Sequence, residues 1–408
     1  MASRHLKWPL KSSTSSPNSS KPYPPRTLMS KKIMIVAGEA SGDLHGEALI
    51  KALLKKEPDL KVFGVGGNRM QQAGMRLIYH INDLAYIGLV EIARHIFFFR
   101  RLYYDLVDQI KAEKPDLVIL IDYPGFNLRF AKKAKKMGCT VFYFIAPQVW
   151  AWAQHRAAKM ARYIDRLAVL FPFETDFFQK YGLPTDFVGH PLVESLNAFT
   201  DKNEFFKTWR LDAERPVLAL LPGSRKQELQ NLLPVMFETA KKVKSKHPEL
   251  QICIGKAETL SKSQIRACCK LDSESTIVEN DTYSLVKYAR SAMVASGTAT
   301  LETAFLMTPF MILYRVSPLT YLIGKLMVKL PYIGLANVIA GEKVATEFVQ
   351  NLDSDKMAKH LEVLLYDKNH RTKTIDKLKS IKKKLGEPGA AEKAADIALQ
   401  MIKSNGIG

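Results

Sequence analysis

Residues 33–46 read IMIVAGEASGDLHG. A short apolar run, Ile33 to Ala37, breaks into a turn of small residues, and an amphipathic stretch begins. A strand that opens through glycines into a helix is the repeating unit of α/β sheets that bind nucleotides, because the free N–H groups of the helix face the ligand. This turn departs from that pattern. It carries Glu39 and Asp43 and lacks the G-x-G-x-x-G spacing. Whether it cradles a phosphate or faces something else depends on the rest of the chain.

The same unit recurs on both sides. KVFGVGG, DLVILID (116–122), TVFYFIAP (140–147), RLAVLFPF and TDFVGHP are short apolar runs, with helical stretches such as HGEALIKALLKK and FNLRFAKKAKKMG between strands. Runs apolar on both faces belong to parallel sheets covered on both sides. The βαβα order predicts a doubly wound α/β domain over 29–190. The pattern restarts at VLALLPGSRKQELQ (217–230), and LQICIG, STIVEN and SAMVASGTATLETAF continue it, which predicts a second α/β domain over 191–345. From about 346 the chain turns polar and helical, so 346–408 reads as C-terminal helices. Two such sheets in tandem bind ligands at the carboxyl ends of their strands.

The 408 residues carry a net charge of +20, which favours a polyanionic partner or surface. Five of those charges lie in residues 1–28, which hold no acid and are rich in Ser and Pro. That segment reads as disordered: either an organelle transit peptide or an extension ahead of a start at Met29. The four cysteines fall in no metal-binding or C-x-x-C pattern, so reduced thiols are expected. The most apolar window, 321–340, is broken by Lys325, Lys329 and Pro331 and does not read as a membrane span.

Three turns after strands can carry chemistry. In LLPGSRKQE (220–228), Gly223 lets a ligand approach, Ser224 suits a helix N-cap and Arg225 offers a fork for phosphate. A plain capped helix is the alternative. In VASGTATLETAF (294–305), Gly297 and Thr298 sit where strand becomes helix, and Glu302 lies one turn in, within reach of a ribose diol. A capping box is the alternative there. Asp122 closes a buried strand in LVILIDYPGFN, which suits a general base or, equally, a structural cap. FGVGG (63–67) reads as a tight turn, and His45 and His190 as structural. Asp353-Ser354-Asp355 matches a metal-binding D-x-D but opens a helix, where Asp is the expected cap. Residues 84–106 (LAYIGLVEIARHIFFFRRLYYDL) form a helix too broadly apolar for one buried face, with Arg94, Arg100 and Arg101 on its flanks. Such a helix lies either in a membrane interface, through Val90, Ile92, Ile96, Phe98 and Phe99, or between sheet and neighbour.

AGEASGDLHG, IDYPGFN, PQVWAW (147–152), VGHP, LLPGSR, SGTATLE and ANVIAGE (336–342) together resemble, in order, the lipid-A-disaccharide synthase family, over about residues 31–390. The resemblance implies two Rossmann-like domains in the GT-B architecture. It implies an inverting glycosyltransferase that joins UDP-2,3-diacylglucosamine to 2,3-diacylglucosamine 1-phosphate, releasing UDP and a β-1,6-linked disaccharide phosphate of lipid A. It further implies a peripheral place on the cytoplasmic face of an inner membrane and the capacity to form homodimers with exchanged C-terminal segments; no metal, cofactor or nucleic acid is expected, since Arg225 and the two helix N-termini can meet the charge of the leaving UDP. On the matching positions, Asp122 would be the general base and Arg225 an essential arginine at the diphosphate. Gly223, Ser224, Gly297, Thr298, Ala299, Thr300, Glu302 and Asn337 would line the UDP pocket, and Gly38, Glu39, Ser41, Gly42 and Asp43 the acceptor side, where Glu39, Ser41 and Asp43 either bond the acceptor or brace the loop that holds Asp122. The N-terminal 28 residues depart from the family pattern, which leaves an organelle location open.

A UDP-sugar epimerase would need the same phosphate turns without an apolar acceptor surface. A non-catalytic basic protein docking on membrane would explain the charge but not the turns. A nicotinamide-dependent dehydrogenase lacks its glycine fingerprint.

Overall fold

The computed structural model describes residues 30–84, 92–196, 199–269, 275–318, 320–322 and 331–405, without the side chains of 92–96, 152 and 195. Among these residues thirteen strands fall into two sheets, and every pairing between them is parallel. The first sheet holds β1 (Lys32–Ala37), β2 (Lys61–Gly66), β3 (Arg76–His80), β4 (Leu117–Ile121), β5 (Val141–Phe144), β6 (Arg166–Val169) and β7 (Thr185–Phe187). Its order is β3-β2-β1-β4-β5-β6-β7. The second holds β8 (Val217–Leu221), β9 (Gln251–Lys256), β10 (Thr276–Glu279), β11 (Ser291–Ala295), β12 (Phe310–Tyr314) and β13 (Thr346–Val349), in the order β10-β9-β8-β11-β12-β13. β3, β12 and β13 were not marked in the sequence.

Each order reverses once, between β1 and β4 in the first sheet and between β8 and β11 in the second. At such a point the connections leave to opposite faces and open a crevice past the carboxyl ends of the two central strands. The four turns at these crevices begin at Gly38, Asp122, Pro222 and Ser296. The central strands are fully buried (LVILI and VLALL have no residue above 6% exposed), as the double cover of helices requires.

Both sheets belong to one unit, Lys31–Gly408, and one apolar cluster runs from Ile33 and Leu49 of the first sheet to Val217 and Leu301 of the second. The helix Ala390–Asn405 returns to the first sheet and packs on the helix Ala40–Lys56, burying Ala394, Ala395 and Ala398. Lys56 bonds Asp396 at 2.5 Å across that contact. The return is anchored where the N–H of His190 donates to the carbonyl of Leu385 (3.0 Å) and the N–H of Gly389 to Glu194 (2.7 Å).

In the helix Ile92–Glu113 the apolar residues divide. Val90 and the side chains of Ile92 and Ile96 lie outside the described residues. Phe98 and Phe99 differ from the expectation of an outward face: they are half-buried, Phe98 edge-on to Tyr79 and Phe99 against Phe126. Phe97 (71% exposed) and Tyr104 (53%) are the ones turned out, with the Arg100 guanidinium 5.8 Å from the Tyr104 ring. Among the described residues no helix is long and apolar enough to cross a membrane.

Candidate active site

The first crevice is built around Asp122. Asp122 and Tyr123 both have left-handed backbone, φ +44° and +50°. For residues with a Cβ that conformation costs about 1–3 kcal/mol each, so something must hold it. The Asp122 N–H donates to the Phe144 carbonyl (3.1 Å). Its own carbonyl accepts from the Tyr143 hydroxyl (2.6 Å) and the Asn127 amide (2.8 Å). Asn127 is fully buried and also donates to the carbonyl of Ile121 (3.1 Å). Pro124 then starts the next helix at its first turn, where the missing N–H costs nothing. The result is a carboxylate lifted off the end of β4 toward the crevice. Burial, and then the negative charge of Glu39, push its pKa up to about 6, against the backbone N–H of Tyr123, which lowers it. A carboxyl poised there can accept a proton near neutral pH.

AGEASGD turns out to serve this loop from the other side. A Cβ on Gly38 would sit 2.3 Å from the Tyr123 ring, so glycine is required for the ring to pack over it. Gly42 lies 3.1 Å in the same sense from the Ala37 Cβ, which brings the helix against β1. Both glycines therefore permit packing within the protein, where the sequence suggested approach of a ligand. Asp43 also departs from the acceptor-side expectation. It is buried, and its carboxylate accepts from the N–H groups of Gly67 (2.7 Å), Arg69 (3.2 Å) and Met70 (3.1 Å). It caps the short helix after FGVGG. Glu39 and Ser41 stay exposed at the entrance of the helix Ala40–Lys56.

The second crevice holds a cavity of about 570 Å³. Gly223, Ser224, Arg225, Gly297, Thr298, Ala299 and Glu302 all line it. At β8 the turn differs from expectation. Arg225, not Ser224, is the N-cap, and Glu228 reaches back to accept from the N–H of Ser224 (3.1 Å) and of Arg225 (3.3 Å). Gly223 has φ +102°, and a Cβ there would meet Glu228. These backbone donors are thus occupied, and the guanidinium of Arg225 is what this turn offers an anion. Its side chain is 82% exposed and pairs loosely with Glu228 at 3.3 Å.

At β11 the opposite holds. Gly297 is the N-cap of the helix Thr298–Phe305 and provides no side-chain bond. Among the described residues the N–H groups of Gly297, Thr298 and Ala299 meet no acceptor. Free amides at a helix start carry partial positive charge and bind anions. One turn along, burial pushes the Glu302 carboxyl up to about 7, against a hydrogen bond with Tyr283 that lowers it.

Thr300 and Asn337, expected in this pocket, do not line it. Thr300 is buried and donates to the Gly297 carbonyl (2.8 Å). Asn337 is fully buried and makes four bonds of 2.8–2.9 Å, to Val344, Ala345 (two) and Glu347. Lys256, Glu258, Thr259, Asn280, Asp281 and Tyr283 line it without having been singled out. They follow β9 and β10, strands legible in the sequence, whose own turns carry no glycine pattern to draw the eye.

Among the described residues no three His, Cys, Asp or Glu side chains gather as a metal cluster. Asp353 accepts from the N–H of Asp355 and Lys356, as an N-cap does. A concavity of about 690 Å³ between the helices Lys226–Lys246 and Lys262–Cys268 has no acid or histidine among its lining residues.

Comparison with known proteins follows the same outline. A family model described as lipid-A-disaccharide synthetase matches residues 33–401. A lipid-A-disaccharide synthase of Geobacter metallireducens is 40% identical over 378 residues, 92% of this chain and 98% of its own length. One from Syntrophus aciditrophicus is 41% identical over 381 residues, 93% and 100%. Among solved structures, the S. aureus MnaA–UDP co-structure has a TM-score of 0.61 at 14% identity over 91% of this chain and 98% of that one. UDP-GlcNAc 2-epimerase from Neisseria meningitidis bound to UDP-GlcNAc reaches 0.59 at 13%, over 90% and 100%. At such identities these structures establish the shared two-sheet fold alone.

Proposed function

Because the chain belongs to the lipid-A-disaccharide synthetase family, we propose that it transfers a 2,3-diacylglucosamine unit from UDP to 2,3-diacylglucosamine 1-phosphate, with Asp122 as the base. The acceptor's 6-hydroxyl gives its proton to the Asp122 carboxylate as its oxygen attacks the anomeric carbon of the donor. The bond from that carbon to the diphosphate oxygen breaks on the opposite face, so the configuration inverts and UDP leaves. A positioned base contributes about 10²–10⁴ in rate. The charge that grows on the leaving diphosphate is met by the Arg225 guanidinium and the free amides of Gly297, Thr298 and Ala299. Glu302 accepts from the ribose hydroxyls, and Glu39 and Ser41 face the acceptor.

The observation that carries this reading is Asp122: a carboxylate held in strained backbone at the switch point, with its pKa pushed up to about 6. The test is UDP release from radiolabelled UDP-diacylglucosamine with the diacylglucosamine phosphate acceptor. The wild-type chain is expected to form the disaccharide phosphate, and Asp122→Asn to form almost none while still binding UDP. Near-normal turnover by the purified variant overturns the assignment.

Both substrates carry acyl chains and come from a bilayer. Exposed Phe97 and Tyr104 beside Arg100, on a chain of net charge +20, support docking on an anionic membrane surface, at about 1 kcal/mol per basic residue near it. Replacing Phe97 and Tyr104 with Ser is expected to reduce flotation with anionic liposomes, and unchanged flotation rejects that face.

A further inference from the structure

The second sheet has another cavity, of about 310 Å³, against Phe310 and Thr346. These are the first residues of β12 and β13. The nucleotide crevice lies past the carboxyl ends of the strands. A strand of five residues spans roughly 16 Å, so the two cavities open at opposite edges of one sheet. The helices Ser354–Tyr366 and Lys368–Lys384 supply the other walls.

The lining is basic. Lys343, Lys373, Lys377, His360 and His370 face the cavity, and no acid lines it. The nearby carboxylates are already paired, one of them with a lysine of the lining. Glu342 pairs with Lys377 at 2.5 Å, and Asp367 accepts from the N–H of His370 at 2.9 Å. Among the described residues Lys343 and Lys373 have no carboxylate partner and the Thr346 hydroxyl has no hydrogen-bond partner. The Nε2 atom of His360 is buried and has no hydrogen-bond partner among the described residues. Its ring is wedged between His370, perpendicular at 6.1 Å, and Phe348 at 6.0 Å. A buried polar atom left unpaired is uncommon and asks for a partner. The cationic setting leaves a mark on that ring: burial first, then His370 and Lys343, lower the His360 pKa to about 4. The same excess of positive charge attracts an anion. The Asn337 bonds to Val344 and Ala345 hold the loop that carries Lys343 and Thr346.

We propose that this pocket is a second anion site, which binds a phosphate monoester through Lys343, Lys373, the Thr346 hydroxyl and the His360 ring. Ammonium groups and hydroxyls are the donors a tetrahedral dianion takes. The volume is about ten times a water's share of ~30 Å³, enough for a phosphate with part of its substituent. The phosphate can come from a soluble phosphorylated molecule or from a lipid headgroup.

The test uses the full chain with UDP in excess, so that the nucleotide crevice is filled. Inorganic phosphate is titrated while the imidazole nitrogens of His360, His370 and His190 are followed by NMR. Saturable shifts are expected at His360 and His370 and none at His190, a readout local to the pocket and independent of the transferase reading. Lys343→Ala with Lys373→Ala is expected to weaken binding at least ~10-fold, the loss of a charge-assisted hydrogen bond or more, with UDP affinity unchanged. Vesicles of phosphatidic acid and of phosphatidylcholine identify the source. Flotation is compared in the Phe97→Ser, Tyr104→Ser background, where the other membrane-docking face is removed: flotation on phosphatidic acid that the added lysine substitutions abolish marks a lipid headgroup, and no difference on adding them marks a soluble phosphate. The absence of a saturable shift, or equal shifts in the double variant, overturns the proposal.

Discussion

The two crevices sit at equivalent places in two similar sheets, yet they are built in opposite ways. In the first, the groups that set Asp122 are spent on holding it: Tyr143, Asn127 and Phe144 fix the backbone, and Tyr123 closes over Gly38. In the second, the groups that would meet a diphosphate are open. The Arg225 side chain is 82% exposed, and the amides of Gly297, Thr298 and Ala299 meet no acceptor among the described residues. A proton acceptor works through a fixed pKa and a fixed direction, so it benefits from a rigid, half-buried seat. A binding site for a charged leaving group gains by leaving its donors to the ligand. Substitutions should therefore behave differently on the two sides.

The largest expected effect is at Asp122. Asp122→Asn should lower kcat by about 10²–10⁴ in a single-turnover assay. Stability should move the other way. The folded pKa, about 6, lies above the ordinary aspartate value of 3.8. A carboxyl of this kind favours the fold fully below its unfolded pKa, and that contribution is lost as pH rises through the folded pKa. By pH 8 the buried charge costs roughly 2–3 kcal/mol, which Asn does not carry. Urea unfolding at pH 8 should thus find the variant at least as stable as the parent. A less stable variant would mean that the carboxylate holds the loop together.

Next comes Arg225→Ala. The side chain is exposed and its pair with Glu228 is a surface one, so unfolding should be unchanged. A charge-assisted hydrogen bond to the leaving group is worth about 1.5–3 kcal/mol, so kcat/KM should fall roughly 10- to 150-fold. A similar loss in stability would place Arg225 in the scaffold and erase the contrast between the crevices. Glu302→Gln should be milder. With its pKa at about 7, the parent's donor KM should fall as pH rises through neutrality and the carboxylate ionises to accept from the ribose. The variant should lose that slope and raise KM about tenfold. A slope retained in the variant assigns the titration to another group.

How legible this was in the sequence varies residue by residue. The βαβ rhythm and the turns at Gly223, Gly297 and Asp122 were readable, because strand, glycine and helix follow one another along the chain. What failed was the assignment of partners. Asp43 looked like a ligand group, and its three N–H partners at Gly67, Arg69 and Met70 are more than 20 residues away in sequence. Asn337 stands in the family motif ANVIAGE, but its bonds run to Val344, Ala345 and Glu347. Ser224 has the residue type of a cap, and Glu228 took the donors instead. Phe98 and Phe99 were set apart from Phe97 only by Tyr79 and Phe126, which come from other elements. Local pattern reports which element a residue is on. It does not report who waits across the gap.

The smallest expected effect sharpens the comparison most. Glu39 contributes negative charge to Asp122 and is second to burial as a cause of its raised pKa. Glu39→Gln removes that charge and leaves the burial. The acid limb of kcat/KM reports the base in the free enzyme, so it should shift to lower pH by less than one unit. It should remain above the ordinary aspartate value of 3.8, because the larger cause is untouched. An acceptor KM measured on the plateau separates this tuning from any contact that Glu39 makes with the sugar. If the limb stays where it was, water screens the two carboxylates and AGEASGD acts on Asp122 only through the packing of Tyr123 on Gly38. If it falls all the way to 3.8, the seat of Asp122 is wetter than its partners imply, and the rigid side of the molecule is set by charge instead of burial.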